Sequence, residues 1–152
     1  MEYIRELFLN KIFLSAIFSW FIAQVMKSVV EIVKNRPRSA VKILTYMFWA
    51  TGGMPSSHSS VVTAIAAGIG FVNGVGDPLF AVTLFYALLV IRDAMGVRRS
   101  TGLQAQTINR ILSVIDTERK IKPVKEIHGH STAEVSVGIL LGFFIAAAFC
   151  NL

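Results

Sequence analysis

The sequence predicts an all-α integral membrane protein, and three observations carry that prediction. Of its 152 residues, 54% are hydrophobic and 16% are charged, whereas charged residues make up roughly a quarter of a soluble domain. The apolar residues are gathered into long runs separated by short polar breaks, with a mean hydropathy of +0.62. Two of those breaks place a histidine beside serines or an acid at the mouth of an apolar run. The expected architecture is one domain, residues 1–152, with about four transmembrane helices, a short interfacial or re-entrant helix and an amphipathic surface helix. The single cysteine, Cys150, forms no intramolecular disulfide and leaves the redox compartment open.

The first run, Ile12 to Val33, is long enough to span a bilayer, which takes about 20 helical residues. No small-residue cleavage site follows it, so it is expected to remain as a span and not to act as a removable signal peptide. Gln24, Lys27, Glu31 and Lys34 recur along it at helical spacing, and such a polar stripe suits protein or a wet cleft. An ordinary Lys27 to Glu31 pair near a helix end would give the same pattern. Asn35-Arg36-Pro37-Arg38-Ser39 then breaks the helix in a cationic loop. Ala40 to Thr51 is apolar and aromatic but too short to cross, which suits the interface or a partial re-entry.

Ser59 to Val75 is the expected second span, and Asn73 to Pro78 is a turn rich in helix breakers. Leu79 to about Met95 returns as the third span, closed by Arg92 and Asp93. From about Ser100 to Glu118, Leu103, Ile108, Ile111, Leu112 and Ile115 recur among polar residues, which predicts an amphipathic helix on the surface. A basic linker, Arg119 to Lys125, follows. Ser131 to Phe149 is the fourth span, whose Gly138 and Gly142 form a small-residue face suited to close helix packing and compatible with a homodimer.

Four crossings put both termini on one side and Lys27, Arg36, His58, Arg92, Arg98, Arg99, His130 and Glu134 toward the other. Of the 15 Lys and Arg residues, only Arg5 and Lys11 fall on the terminal side, so the positive-inside rule makes the histidine-bearing face cytoplasmic.

Gly52-Gly53-Met54-Pro55-Ser56-Ser57-His58-Ser59 combines glycines that admit a ligand to the backbone, a proline where a helix can begin, and serines that can cap its first turn. Free N–H groups at that turn attract phosphate. A capped helix start with an incidental histidine is the plain alternative, and the second site weighs against it. There His130 and Glu134 stand four residues apart, on one face of a helix. A capped, salt-linked helix start is again the plain alternative for that pair alone.

Together the residues suit phosphoryl transfer on a lipid. A neutral imidazole at His130 is nucleophilic, and Glu134 can accept its other N–H and fix the tautomer. His58 can protonate the departing oxygen and later activate water. Lys27, Arg36 and one of Arg92, Arg98 or Arg99, with the Ser56 and Ser57 hydroxyls, suit the phosphoryl oxygens.

Pro55-Ser56-Ser57-His58, the His130 and Glu134 pair, Lys27 and Arg36-Pro37 resemble the type 2 phosphatidic acid phosphatase superfamily over nearly the whole chain. The closest likeness is to its divergent, short bacterial and plant branch, with the Gly-Gly-Met-Pro-Ser-Ser-His signature, an Arg-Asp-Ala segment and a Gly-His-Ser/Thr segment. The resemblance implies a helical bundle in a bacterial cell membrane and metal-independent hydrolysis of a lipid phosphomonoester or diphosphate, of the acid-phosphatase type, with no cofactor. It implies His130 as nucleophile forming a phosphohistidine, Glu134 as its orienting acid and His58 as general acid. Ser56, Lys27 and Arg36 would be phosphate ligands. Lipid phosphate and membrane lipids are the expected partners, and no nucleic acid is expected.

The chain departs from the superfamily pattern at four places. Ser57 replaces a glycine, Glu134 replaces an aspartate, and the spacing from Lys27 to Arg36 is two residues longer than usual. Val124 occupies the place of an arginine six residues before the nucleophile, so either Lys122 or Lys125 substitutes, or Arg92, Arg98 or Arg99 reaches in. Arginine is the better bidentate phosphate clamp. Two other classes compete. His128 and His130 with Asp93 form a weak metal-ligand set lacking a clear further ligand. A non-catalytic module that binds or translocates anionic phospholipid would use the basic segment Ser100 to Lys125 on headgroups.

Overall fold

The computed structural model of the protein describes residues 1–35, 53–115, 121–126 and 129–151, with Lys34 and Asn35 described as backbone only. Among these residues all regular structure is helical. The helices are α1 (Glu2–Leu9), α2 (Lys11–Asn35), α3 (Ser57–Asn73), α4 (Pro78–Met95), α5 (Val97–Ile115) and α6 (Thr132–Asn151). The cationic loop from Arg36 and the interfacial helix expected over Ala40 to Thr51 lie outside the described residues.

Local chemistry sets most boundaries. The Asn10 side-chain oxygen accepts from the Ile12 and Phe13 N–H groups at 2.9 and 3.0 Å and so caps α2. This short polar break also separates off α1, a helix the sequence reading did not foresee. Ser56 caps α3, and Gly74 ends it at φ +92°, a conformation that favours glycine. Asp77 caps α4 by accepting from the Leu79 N–H at 2.7 Å, with Pro78 at the first helical position. Gly96 separates α4 from α5, which therefore starts at Val97 and not near Ser100.

α3 lies at the centre, against α2, α4 and α6, and α2 also packs on α6. The order of contacts makes α3 and α6 parallel: Gly138 faces Ser56, Gly142 faces Ser60, and the Cys150 thiol lies over the Gly68 carbonyl. α2 runs the other way, Lys27 meeting Ser57 and Ser19 meeting Ser60. The packing residues are small. Apart from Pro55, the largest fully buried side chains are Ser15, Ser19, Ser56, Ser59 and Ser60, which lets backbones approach as membrane helices do. A satellite apolar cluster of Val62, Ala66 and Ala87 joins α3 to α4, while Leu79, Val82, Phe85 and Leu89 of α4 remain exposed, as lipid-facing residues are.

Three helical stretches, Lys11–Val33, Pro78–Ile115 and Thr132–Asn151, are long and apolar enough to cross a membrane. The expectation of four spans is corrected at Ser59 to Val75. That segment is realised in α3, which has 17 residues, about 25 Å of helix against about 30 Å of hydrocarbon. Enclosed by α2, α4 and α6, it need not match the lipid thickness. α5 leaves Leu103, Ile108 and Ile111 exposed, as an amphipathic helix at a membrane surface does.

Candidate active site

Four helix ends meet at one end of the bundle. α2 delivers Lys27, whose Nζ donates to Ser57 Oγ at 3.1 Å, and both residues are buried. α3 begins there because Ser56 caps it: Ser56 Oγ accepts from the Ser59 N–H at 3.4 Å and from Ser59 Oγ at 3.0 Å. Ser56 is fully buried, so of the two serines the second is the one engaged with the cation. The Ser56 N–H donates to the Glu134 carbonyl at 2.9 Å, tying the start of α3 to the first turn of α6.

His130 is buried immediately ahead of α6, and its Nδ1 lies 2.9 Å from Glu134 Oε2. The same carboxylate oxygen accepts from the Ser131 N–H at 3.2 Å, while the Glu134 N–H donates to Ser131 Oγ at 3.3 Å. This is a capping box, so one carboxylate both caps the helix and orients the imidazole. The two readings of the pair are therefore not exclusive. The His130 N–H donates to the Ala94 carbonyl at 3.1 Å, which anchors the loop to α4. Gly129 is demanded by a close approach, since a Cβ there would collide with the Arg99 backbone.

His58 stands exposed in the first turn of α3. Loss of solvation, then the charges of Arg98 and Lys27 and the nearby His130 imidazole, push its pKa below the ordinary histidine range, with Asp93 opposing. Those four side chains are thus its electrostatic neighbours. Arg98 Nε donates to Asp93 Oδ2 at 2.9 Å in a half-exposed pair. Arg92 and Arg99 are exposed at the junction of α4 and α5, and Arg36 and His128 lie outside the described residues. Among the described residues no three His, Cys, Asp or Glu side chains gather as a metal site would require.

The structure thus brings together Lys27, Ser56, Ser57, His58, Arg98, His130 and Glu134 from four helices. Val124, six residues before His130, is held through its backbone by Asn109 of α5. Its N–H donates to Asn109 Oδ1 at 2.8 Å, and its carbonyl accepts from Asn109 Nδ2 at 2.9 Å. Asn109 Nδ2 also donates to Glu126 Oε1 at 2.9 Å, so one α5 side chain straps down the segment 121–126. Nothing in the spacing marked Asn109, because the partner lies 15 residues away in an irregular segment.

A family model described as the divergent PAP2 family matches residues 8–145. The "Uncharacterized membrane protein YuiD" of Bacillus subtilis (strain 168) is 36% identical over 155 residues, covering 92% of this chain and 94% of its own. No solved structure matches significantly.

Proposed function

The chain belongs to the divergent PAP2 family of membrane proteins, and from that premise we propose that it hydrolyses a phosphomonoester or diphosphate of a lipid through a phosphohistidine. The observation that carries this reading is the His130 Nδ1 to Glu134 Oε2 bond of 2.9 Å, at the end of the bundle that also holds Lys27, Ser57 and His58. A carboxylate on Nδ1 fixes the tautomer whose lone pair lies on Nε2, the arrangement of an activated nucleophile.

In the proposed reaction Nε2 attacks phosphorus and the bond to the leaving oxygen breaks. Protonated His58 gives its proton to that oxygen, which departs on the lipid alcohol, or on the lipid monophosphate when the substrate is a diphosphate. Water then attacks the phosphohistidine while His58 takes a proton back, and inorganic phosphate leaves. Lys27 and the Ser57 hydroxyl carry the phosphoryl oxygens, with Arg36 and one arginine of Arg92, Arg98 and Arg99. We favour Arg98, because its charge reaches His58 and its bond to Asp93 uses Nε, leaving the terminal nitrogens for phosphate. The positive charge clustered at this end supports a cytoplasmic orientation in a bacterial membrane.

The test is phosphate release by purified protein in detergent with chelator present, against phosphatidate, phosphatidylglycerol phosphate, farnesyl diphosphate and undecaprenyl diphosphate. Release by the wild type that vanishes in His130→Ala, with unchanged elution and unfolding temperature, is the expected result. No release from any of these by folded wild type would refute the reading and favour binding or translocation of phospholipid.

A further inference from the structure

Gln24 is the one residue, among those described, whose side chain has a buried polar atom without a hydrogen-bond partner: its Oε1 meets no donor. The residue is only 7% exposed, and what it engages is its backbone carbonyl, which accepts from Ser28 Oγ at 2.9 Å. Two other buried polar side chains of α2 are paired with the next helix, Lys27 with Ser57 and Ser19 with Ser60. An orphaned amide in a low-dielectric interior is costly, so a site that retains one is built to receive a partner.

Its position says which partner. Gln24 precedes Lys27 by three residues on α2, which puts both on one face and Gln24 about 4.5 Å further into the bilayer. A phosphoryl group held at Lys27 and Ser57 extends its lipid portion inward, so the first atoms beyond the phosphoester reach the level of Gln24. We propose that Gln24 is a substrate-positioning residue whose amide hydrogen-bonds the glycerol backbone oxygens of a glycerophospholipid, selecting phosphatidate-like lipids over isoprenyl phosphates. The assignment rests on the lipid phosphatase reading above. A half-turn of the terminal amide puts its NH2 where Oε1 stands and lets it donate to an ester carbonyl, the acceptor that a diacylglycerol backbone offers. An isoprenyl chain offers only hydrocarbon there and leaves the amide orphaned, and polar sites discriminate strongly against ligands lacking the matching group.

The experiment compares phosphate release from dioctanoyl phosphatidate and from farnesyl phosphate by the wild type and by Gln24→Met, which keeps the side-chain length and removes its polar atoms. The expected result is a loss of about tenfold or more in kcat/KM for phosphatidate, with farnesyl phosphate unchanged or faster. An equal loss on both substrates, or no loss on either, overturns the proposal, since a structural role or a bound water would not alter the ratio. Gln24→Ala is measured in its place should the Met variant not elute as folded protein. If the wild type releases phosphate from neither lipid, the phosphatase reading fails on its own, and calorimetric titration of the same two lipids decides the Gln24 assignment. Phosphatidate binding weakened about tenfold in the variant, with farnesyl phosphate binding unchanged, then upholds it. Equal binding, or none, overturns it.

Discussion

Replacing Gly142 by alanine adds one methyl group at the place where two helices touch most closely. A Cβ there would overlap the Ser60 carbonyl oxygen and stand 3.0 Å from the Ala64 nitrogen, both of them backbone atoms that cannot swing aside. Restoring ordinary van der Waals separation requires α3 and α6 to part by about 1 Å. Overpacking of this kind costs about 1–3 kcal/mol, which lowers the unfolding temperature by about 3–10 °C in a chain of this size. Activity should fall further than stability suggests. α3 carries His58 and α6 carries Glu134, and a 1 Å displacement of catalytic groups can cost about a hundredfold. Gly138→Ala, whose Cβ would lie 2.5 Å from the Ser56 carbonyl oxygen one turn nearer the site, should weigh more on rate. Gly76→Ala is the control, because nothing lies within 4 Å of a Cβ there. The assay pairs thermal unfolding in detergent with phosphate release. Gly142→Ala that matches Gly76→Ala in both would refute the reasoning.

Three more outcomes are expected. Glu134→Gln keeps a side chain able to cap α6 through the Ser131 N–H but loses the carboxylate on His130, so turnover should fall about a hundredfold or more with little change in unfolding temperature. Equal loss of both would make the residue structural. Arg98→Gln should move the alkaline limb of the kcat/KM profile upward in pH. His58 must be protonated to act as acid, its free-protein pKa lies below the usual 6.5, and Arg98 is, after loss of solvation, the next cause of that depression; Asp93→Asn should move the limb the opposite way. Asn109→Ala removes the strap on Val124 and Glu126 and should speed tryptic cleavage after Lys125, scored on gels, with global unfolding unchanged.

The sequence was most readable where a single helix carries its own signal. The Lys27 stripe, the Ser56 cap, the break at Asn73 to Pro78 and the His130 to Glu134 spacing all depend on residues within one or two turns. Gly138 and Gly142 were readable as a packing face but not as to whose: they are occupied within the chain by α3, so they give no surface for a second copy. Ser15 and Ser19 looked like ordinary residues of an apolar span, because a serine's burial depends on which helix lies opposite. Gly129 is required by the Arg99 backbone 30 positions earlier, and Asn109 by a strap in an irregular segment. Neither distance leaves a periodic trace. The miscounted span failed for a related reason: hydropathy measures whether a segment tolerates lipid, and α3 is mostly screened from lipid by its neighbours.

The parallel pairing of α3 and α6 has an electrostatic consequence. Each helix carries roughly half a positive charge at its N-terminus, and the pairing sets two such ends side by side, next to Lys27 and Arg98, with the C-terminal pole of α4 offsetting them in part where the Ala94 carbonyl meets the His130 N–H. A dianion bound there would meet both N-terminal poles at once. Such a ligand would stabilise the fold as well as react on it, and the expected signature is an unfolding temperature that climbs with added inorganic phosphate.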